Sequence, residues 1–437
     1  MKVNTHYSLL NTKFVNLTTH SSQITTLFAT LSFLILFFAS LTAEAKTIRV
    51  GKTKPFKSIQ KAISFGKDGD TILVESGIYK EGNIVLQKSI VLKGINFPVL
   101  DGQKKYEILT VKANGAVIDG FMFKHSGRSE IKDIAAVMIF DSYHVQVINN
   151  ILDDNNFGIY LQNSKSCTIK NNDITAYGLN EVQSGNGINC WKSDSLIIIG
   201  NKIKGHRDGI YFEFVTNSVV WRNVSTRNIR YGIHFMFSHH DSYIGNIFEA
   251  NESGVAVMYT NHIKMLNNVF INNWGDAAYG ILLKDISDGE ISGNHFIKNT
   301  VGIHMEGCSR INLFKNSFAN NGWAVKIQAS CDNNAFNKNN FISNTFDIGT
   351  NGSLVLNTFN GNFWDKYEGY DLKRDRIGDV AYHPVSMYSM IIDSNPAALM
   401  LFRSLIVSLL DKSEKILPGI TPENLKDAKP LMKRLNL

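Results

Sequence analysis

Gly209-Ile210-Tyr211-Phe212-Glu213 recurs one repeat later as Gly232-Ile233-His234-Phe235-Met236, and again as Gly254-Val255-Ala256-Val257-Met258. The same phrase opens at Gly158, Gly187, Gly280 and Gly302. A second beat runs with it: Asn150, Asn172, Asn201, Asn223, Asn246, Asn268, Asn294, Asn316 and Asn339. Most of its steps match; the two long ones, Asn172 to Asn201 and Asn268 to Asn294, carry insertions. A fixed period in the range of about 20–50 residues marks a stacked-repeat architecture. Short apolar triplets divided by Asn and Gly turns predict one coil of a right-handed parallel β-helix per repeat. Such asparagines would bond amide to amide from coil to coil, as in cross-β ladders.

Outward from this repeat, the 437-residue chain divides by composition. Residues 1–45 read as an export signal: Lys2 and Lys13 precede an apolar run from Leu27 to Leu41, and Ala43-Glu44-Ala45 is a small-x-small cleavage site. Residues 46–94 read as an N-terminal cap with the first strands. In it Phe56, Ile59 and Ile63 recur at helical spacing and would close the open end of the core. Coils fill 95–364. An Asp/Gly/Tyr-rich loop segment follows over 365–394, then a C-terminal helix, Ala397 to Leu410, and an extended tail to residue 437.

Net charge is +7, or +6 without Lys2, Lys13 and Glu44, and half of that excess lies beyond Ala397. No basic run alternates with aromatics, so nucleic acid is not an expected partner. The four cysteines form two pairs, Cys167 with Cys190 and Cys308 with Cys331, each spaced by close to one repeat. Their offsets from the leading glycines differ, which argues against direct stacking; core thiols and disulfides both remain open. Asp371, Asp375 and Asp379 approach a calcium loop, but Lys373 and Arg376 occupy two of its positions, so no calcium is expected.

Chemistry must lie on the outward strip. Strand side chains alternate faces, so the second and fourth residues after each Gly point out. One column reads Tyr160, Asn189, Tyr211, His234, Ala256, Leu282, His304; the other reads Gln162, Trp191, Glu213, Met236, Met258, Lys284, Glu306. Thioether with imidazole is a soft donor set suited to Cu(I). His234, Met236, Met258, His262 and Met265 are the candidate metal residues. Adaptable methionines and aromatics equally describe a face that grips a protein, with Tyr211, Glu213, Lys284, His304 and Glu306 as its candidate polar contacts. Glycoside hydrolysis wants two carboxyl groups within about 5–9.5 Å. Only Asp208 and Glu213 come near that, which leaves a carbohydrate-active enzyme (lyase, hydrolase or epimerase) as the alternative.

Four longer strings add a resemblance: Arg230 to Ser238, Gly254 to Tyr259, Asn273 to Asp285 and Trp364 to Asp371. They resemble the NosD family of periplasmic maturation proteins, with Arg376 standing where that family usually has Gly. The resemblance implies a non-catalytic β-helix scaffold at the outer face of the inner membrane. It implies association with the permease and ATPase subunits of an ABC-type transporter, and a role in assembling the copper–sulfur cluster of nitrous oxide reductase. Partners so implied are the apo-reductase and a copper-chaperone lipoprotein, with Cu(I) handled transiently.

Overall fold

In the computed structural model, Ile210, Tyr211, Phe212 and Glu213 pair residue for residue with Ile233, His234, Phe235 and Met236 of the next coil. That register continues into Val255, Ala256, Val257 and Met258. The described residues are 45–437 apart from 130, 179, 353–355, 403 and 417–424. Almost all of the expected export signal therefore lies outside them. Thr47–Leu437 forms one compact unit, the solenoid.

Each coil contributes three short strands in parallel ladders. One ladder holds the strands that open on the repeated glycine. A second takes the next strand of each coil, such as Ser242–Ile244 and Lys264–Leu266, and the two join where Tyr279–Ser292 runs through both. The third is a 13-stranded sheet from Ile78–Tyr79 to Phe363–Trp364. The architecture is a parallel β-helix, as the period predicts. The leading glycines are required where coils meet: a Cβ on Gly232 would lie 2.5 Å from the Gly254 carbonyl oxygen, and one on Gly254 2.6 Å from that of Gly280.

Three ladders of side chains hold the coils in register. The asparagines of the sequence beat stack as expected. In each step the Oδ1 of one accepts from both the backbone N–H and the Nδ2 of the asparagine one coil earlier, from Asn150 through Asn339 to Asn362. A second asparagine ladder, Asn228, Asn251, Asn273, Asn299, Asn321 and Asn344, adds to the one the sequence reading predicts. Its signal is a second Asn at a constant offset from the first, at 223/228, 246/251, 268/273, 294/299, 316/321 and 339/344. Between these ladders Phe248, Phe270, Phe296, Phe318, Phe341 and Trp364 stack ring on ring at 4.0–5.2 Å.

Both ends are closed. At the top the helix Ile59–Phe65 buries Ile59, Ala62 and Ile63 over the core. The Glu81 carboxylate accepts from its first two N–H groups, and Lys88 Nζ donates to the carbonyls of Ile63, Ser64 and Gly66 at its other end. These charges oppose the helix dipole. Phe56 lies outside this helix, contrary to the helical spacing, because it bridges to Val50 as extended chain. At the bottom the tail returns across the last coils, and buried Asp427 ends the first asparagine ladder. Its carboxylate accepts from Asn362 N and Nδ2, Trp364 Nε1 and Gly361 N.

The C-terminal helix corrects the sequence reading twice. A helix at Met387–Ser394, inside the segment read as loop, packs Tyr388 on Phe346. The helix expected over Ala397 to Leu410 is instead a 3-10 turn, Pro396–Leu401, and an α-helix, Leu405–Ile416. Phe402 breaks it with extended ψ, and Ser404 restarts it by accepting from Val407 N.

Candidate functional site

The outward columns stand where alternation put them. Tyr160, Asn189, Tyr211, His234, Ala256, Leu282 and His304 pair in series, as do Gln162, Trp191, Glu213, Met236, Met258, Lys284 and Glu306. The first column is nevertheless largely covered, while every member of the second is half-exposed. The candidate residues accordingly separate into a buried polar centre and an open strip.

The buried centre is built from Asp208, Arg230 and His234. Asp208 has no exposure. Arg230 grips it with two bonds, Nε to Oδ1 at 3.1 Å and Nη2 to Oδ2 at 2.9 Å. Burial alone pushes the Asp208 carboxyl upward, but His234 and the Arg230 guanidinium overcome this and hold it below the usual carboxylate range. His234 Nδ1 lies 3.1 Å from Arg230 Nη2 and 3.6 Å from Asp208 Oδ2. Its Nε2 is buried without a partner, beneath the rings of Tyr211 and Tyr231 at 5.1 and 5.0 Å. His234 thus turns Nδ1 to the Arg230–Asp208 pair and keeps Nε2 closed to the surface. This corrects its place in the metal set. The cause is that Asp208 and Arg230 precede the leading glycines, outside the count that defines the column.

Met265 is the second correction. It belongs to Lys264–Leu266 of the second ladder and points into the core at 1% exposure. Left-handed residues at each corner, Tyr259 (φ 53°) and His262 (φ 55°) among them, reset the alternation before it.

The open strip crosses that corner on two consecutive coils. Met236 and Met258 are register partners. Beside them Phe214, Phe237 and Tyr259 stack at 5.2 Å with 11° between planes, and are 45%, 37% and 43% exposed. All three have positive φ, a conformation that costs most residues about 1–2 kcal/mol. Other coils fill this position with Asn163, Lys192, Asp285 or Gly307. Around the turn His240 and His262 stack at 4.7 Å. His239 is held below the usual imidazole range by burial first and then by these two neighbours. The Asn261 N–H donates to its Nδ1. His262 is therefore placed with His240, which the sequence reading leaves outside the metal set. Among the described residues no three His, Cys, Asp or Glu side chains are arranged to hold a metal ion. The soft donors of this strip are thus the paired thioethers and the paired imidazoles.

Of the polar candidates, Tyr211 donates its hydroxyl to Glu213 at 3.2 Å, and Lys284 pairs with Glu306 at 3.3 Å. His304 packs on Tyr279 at 5.1 Å and is lowered by burial and by Lys326. Exposed Tyr177 and Val182 lie on the insertion before one coil, and Trp274 on the insertion before another; together these flank the coils of the strip along the chain. In the late loop Lys373 pairs with Asp379, and Asp371 accepts from the backbone N–H groups of Asp375 and Arg376.

The family described as "Periplasmic copper-binding protein (NosD)" matches residues 174–369, and a family of unknown function matches 45–261. A "Probable ABC transporter binding protein NosD" from Pseudomonas aeruginosa is 26% identical over 401 residues, covering 80% of this chain and 86% of its own. Its namesake from Stutzerimonas stutzeri is 23% identical over 393 residues, covering 81% and 85%. Among solved structures, a Streptomyces thermodiastaticus α-1,3-glucanase aligns at TM-score 0.55 and 13% identity over 70% of this chain and 65% of its own. A mannuronan C-5 epimerase module from Azotobacter vinelandii aligns at 0.52 and 14% over 70% and 87%. These two likenesses establish the β-helix alone.

Proposed function

We propose that this chain, which belongs to the NosD family, is a periplasmic maturation scaffold that helps copper reach the copper–sulfur cluster of nitrous oxide reductase while attached to an ABC-type transporter. The observation that carries the reading is the strip of Met236, Met258, His240 and His262 beside the Phe214–Phe237–Tyr259 stack. Thioethers and imidazoles are soft, neutral ligands that can pass Cu(I) between proteins without holding it tightly. Copper is cargo here. Met236 and Met258 would receive it, His240 and His262 would flank it, and the exposed aromatics would seat the apo-reductase or a copper-chaperone lipoprotein. Tyr211, Glu213, Lys284, His304 and Glu306 would set the polar edge of that contact, where charged pairs govern specificity more than affinity.

A non-catalytic role suits the buried centre as well. Asp208, the carboxylate that the sequence sets nearest Glu213, is committed to Arg230 and stands at the opposite end of the strand Asp208–Glu213. The transporter contact is assigned to the far end. Met400, Leu405, Ile406 and Leu409 are 90%, 77%, 55% and 55% exposed on neighbouring turns of the C-terminal helical segment. An apolar face of this kind marks a protein or membrane contact. No helix among the described residues is long and apolar enough to cross a membrane. The occupant proposed is the permease subunit, after the relatives named as ABC transporter binding proteins. Replacing Leu405 and Leu409 together by Ser in the full chain is expected to abolish co-purification with the permease and leave the β-sheet circular dichroism unchanged. A complex that survives both substitutions would refute the assignment.

A further inference from the structure

Cys308 and Cys331 are register neighbours. Ser309 pairs with Asp332 in parallel strands, so the residue before each faces the other across one coil spacing. Both side chains point into the core, at 0% and 1% exposure. The Cys308 backbone N–H donates to Cys331 Sγ at 3.4 Å, and the Cys308 thiol reaches the carbonyls of Glu306 and Leu283 at 3.3 and 3.6 Å. This corrects the expectation that offsets from the leading glycines keep the pair apart. Ala324 takes the leading position opposite Gly302, and the turn after Ile327 carries an extra residue relative to the turn after Met305, which brings Cys331 level with Cys308. The other two cysteines behave differently. Cys190 is paired with Leu161, and the residue after Cys167 with Ile197, so Cys167 faces Leu196. All four thiols are free in this structure.

We infer that Cys308 and Cys331 close a disulfide in the exported protein, tying the last coil of the functional face to the coils that carry the C-terminal helices. Coils stack about 4.8 Å apart, inside the Cα separation of about 4.4–6.8 Å that a disulfide spans. The placement has a consequence. Trp323 and Phe346 stack at 4.3 Å in the two coils after the Cys308 coil, and Phe346 receives Tyr388 of the first C-terminal helix. A bond from Cys308 to Cys331 would stop those coils peeling from Met305 and Glu306 when a partner pulls on the exposed helix. Solenoids unravel from their ends because each coil holds only its neighbours.

The chemistry is an exchange with a carrier disulfide, the oxidant class of exported compartments. Cys331 loses its proton and its thiolate attacks one carrier sulfur, giving a mixed disulfide and releasing the other carrier sulfur as thiolate. Cys308 then loses its proton and displaces the carrier. One carrier disulfide is reduced to a dithiol, taking two electrons and two protons from the two protein thiols. Burial of both sulfurs requires this before the last coils close.

The inference rests on the exported location proposed above, and its test separates the two. The full chain is purified from the exported fraction, denatured in an alkylating reagent and mapped by mass. The expected result is a 308–331 cross-linked peptide about 2 Da lighter than its two thiol halves, with Cys167 and Cys190 alkylated. The same chain, reduced, denatured and refolded in a glutathione redox buffer, should form the same link regardless of where the cell places it. Four alkylated cysteines in both preparations would overturn the inference, as would a link that joins Cys167 to Cys190 instead.

Discussion

Asn246→Ala is expected to destabilise the solenoid by about 4 kcal/mol. The Asn246 Oδ1 accepts from Asn223 N and Nδ2 at 2.9 and 3.1 Å, and its Nδ2 donates to Val220 O and Asn268 Oδ1 at 2.9 and 3.0 Å. Alanine removes four bonds and strands the backbone N–H of the fully buried Asn223, whose Nδ2 keeps the carbonyls of Ile198 and Trp221. Stranding a buried donor costs about 1–3 kcal/mol, against about 1 kcal/mol for an ordinary lost bond. Because coils couple only to neighbours, the loss should concentrate in the coils that hold Val220, Asn246 and Asn268. Urea unfolding gives the magnitude, and hydrogen exchange of the Asn223 amide locates it. A change below about 1 kcal/mol would mean that ring stacking and backbone ladders alone hold the coils.

Asp241→Asn should have the opposite sign and a dependence on pH. Asp241 is fully buried, and its Oδ1 accepts from Ser218 N at 2.7 Å. Its Oδ2 and the nearby Tyr243 hydroxyl have no partner. Burial pushes the carboxyl up to about 8. Below about pH 4 the group is protonated whether the chain is folded or not, so it costs nothing. As pH rises toward 8 the unfolded chain ionises there and the folded chain does not, so stability falls, and above 8 the difference stays constant. At pH 7 the penalty reaches up to about 4 kcal/mol at 1.4 kcal/mol per pH unit. An amide has no such penalty. Asn is also the native choice further along the same column, where Asn334 Oδ1 accepts from Ile311 N and Nδ2 donates to Cys308 O. The variant should therefore gain about 2–4 kcal/mol at pH 7 and lose the downward slope between pH 5 and 8. An unchanged slope would show that the native carboxyl ionises normally.

How far the sequence can be read follows from where each signal lies. Leading glycines and β alternation are local properties, and they place both outward columns in correct register from Tyr160 to Glu306. Burial is not local. His234 points outward as counted, yet Arg230 and Tyr231, just ahead of the counted phrase, fold over it. Met265 departs for a different reason. Tyr259 and His262 turn left-handed between it and Gly254, and each such residue resets which face the next side chain takes. His240 escapes a reading that selects its partner His262, because stacking across a turn leaves no trace in strand alternation. The C-terminal helix is legible as apolar helical sequence. Its break at Phe402 is signalled only by the serine that restarts it.

The direct test of the central claim is Cu(I) affinity of the full exported chain, titrated anaerobically against a competing chelator, with and without Met236→Ala and Met258→Ala combined. Loss of the paired thioethers should weaken binding at least about tenfold, equivalent to about 1.4 kcal/mol, while Met265→Leu in the core leaves it unchanged. Equal affinity in the parent and the double variant would contradict the assignment of copper to this strip.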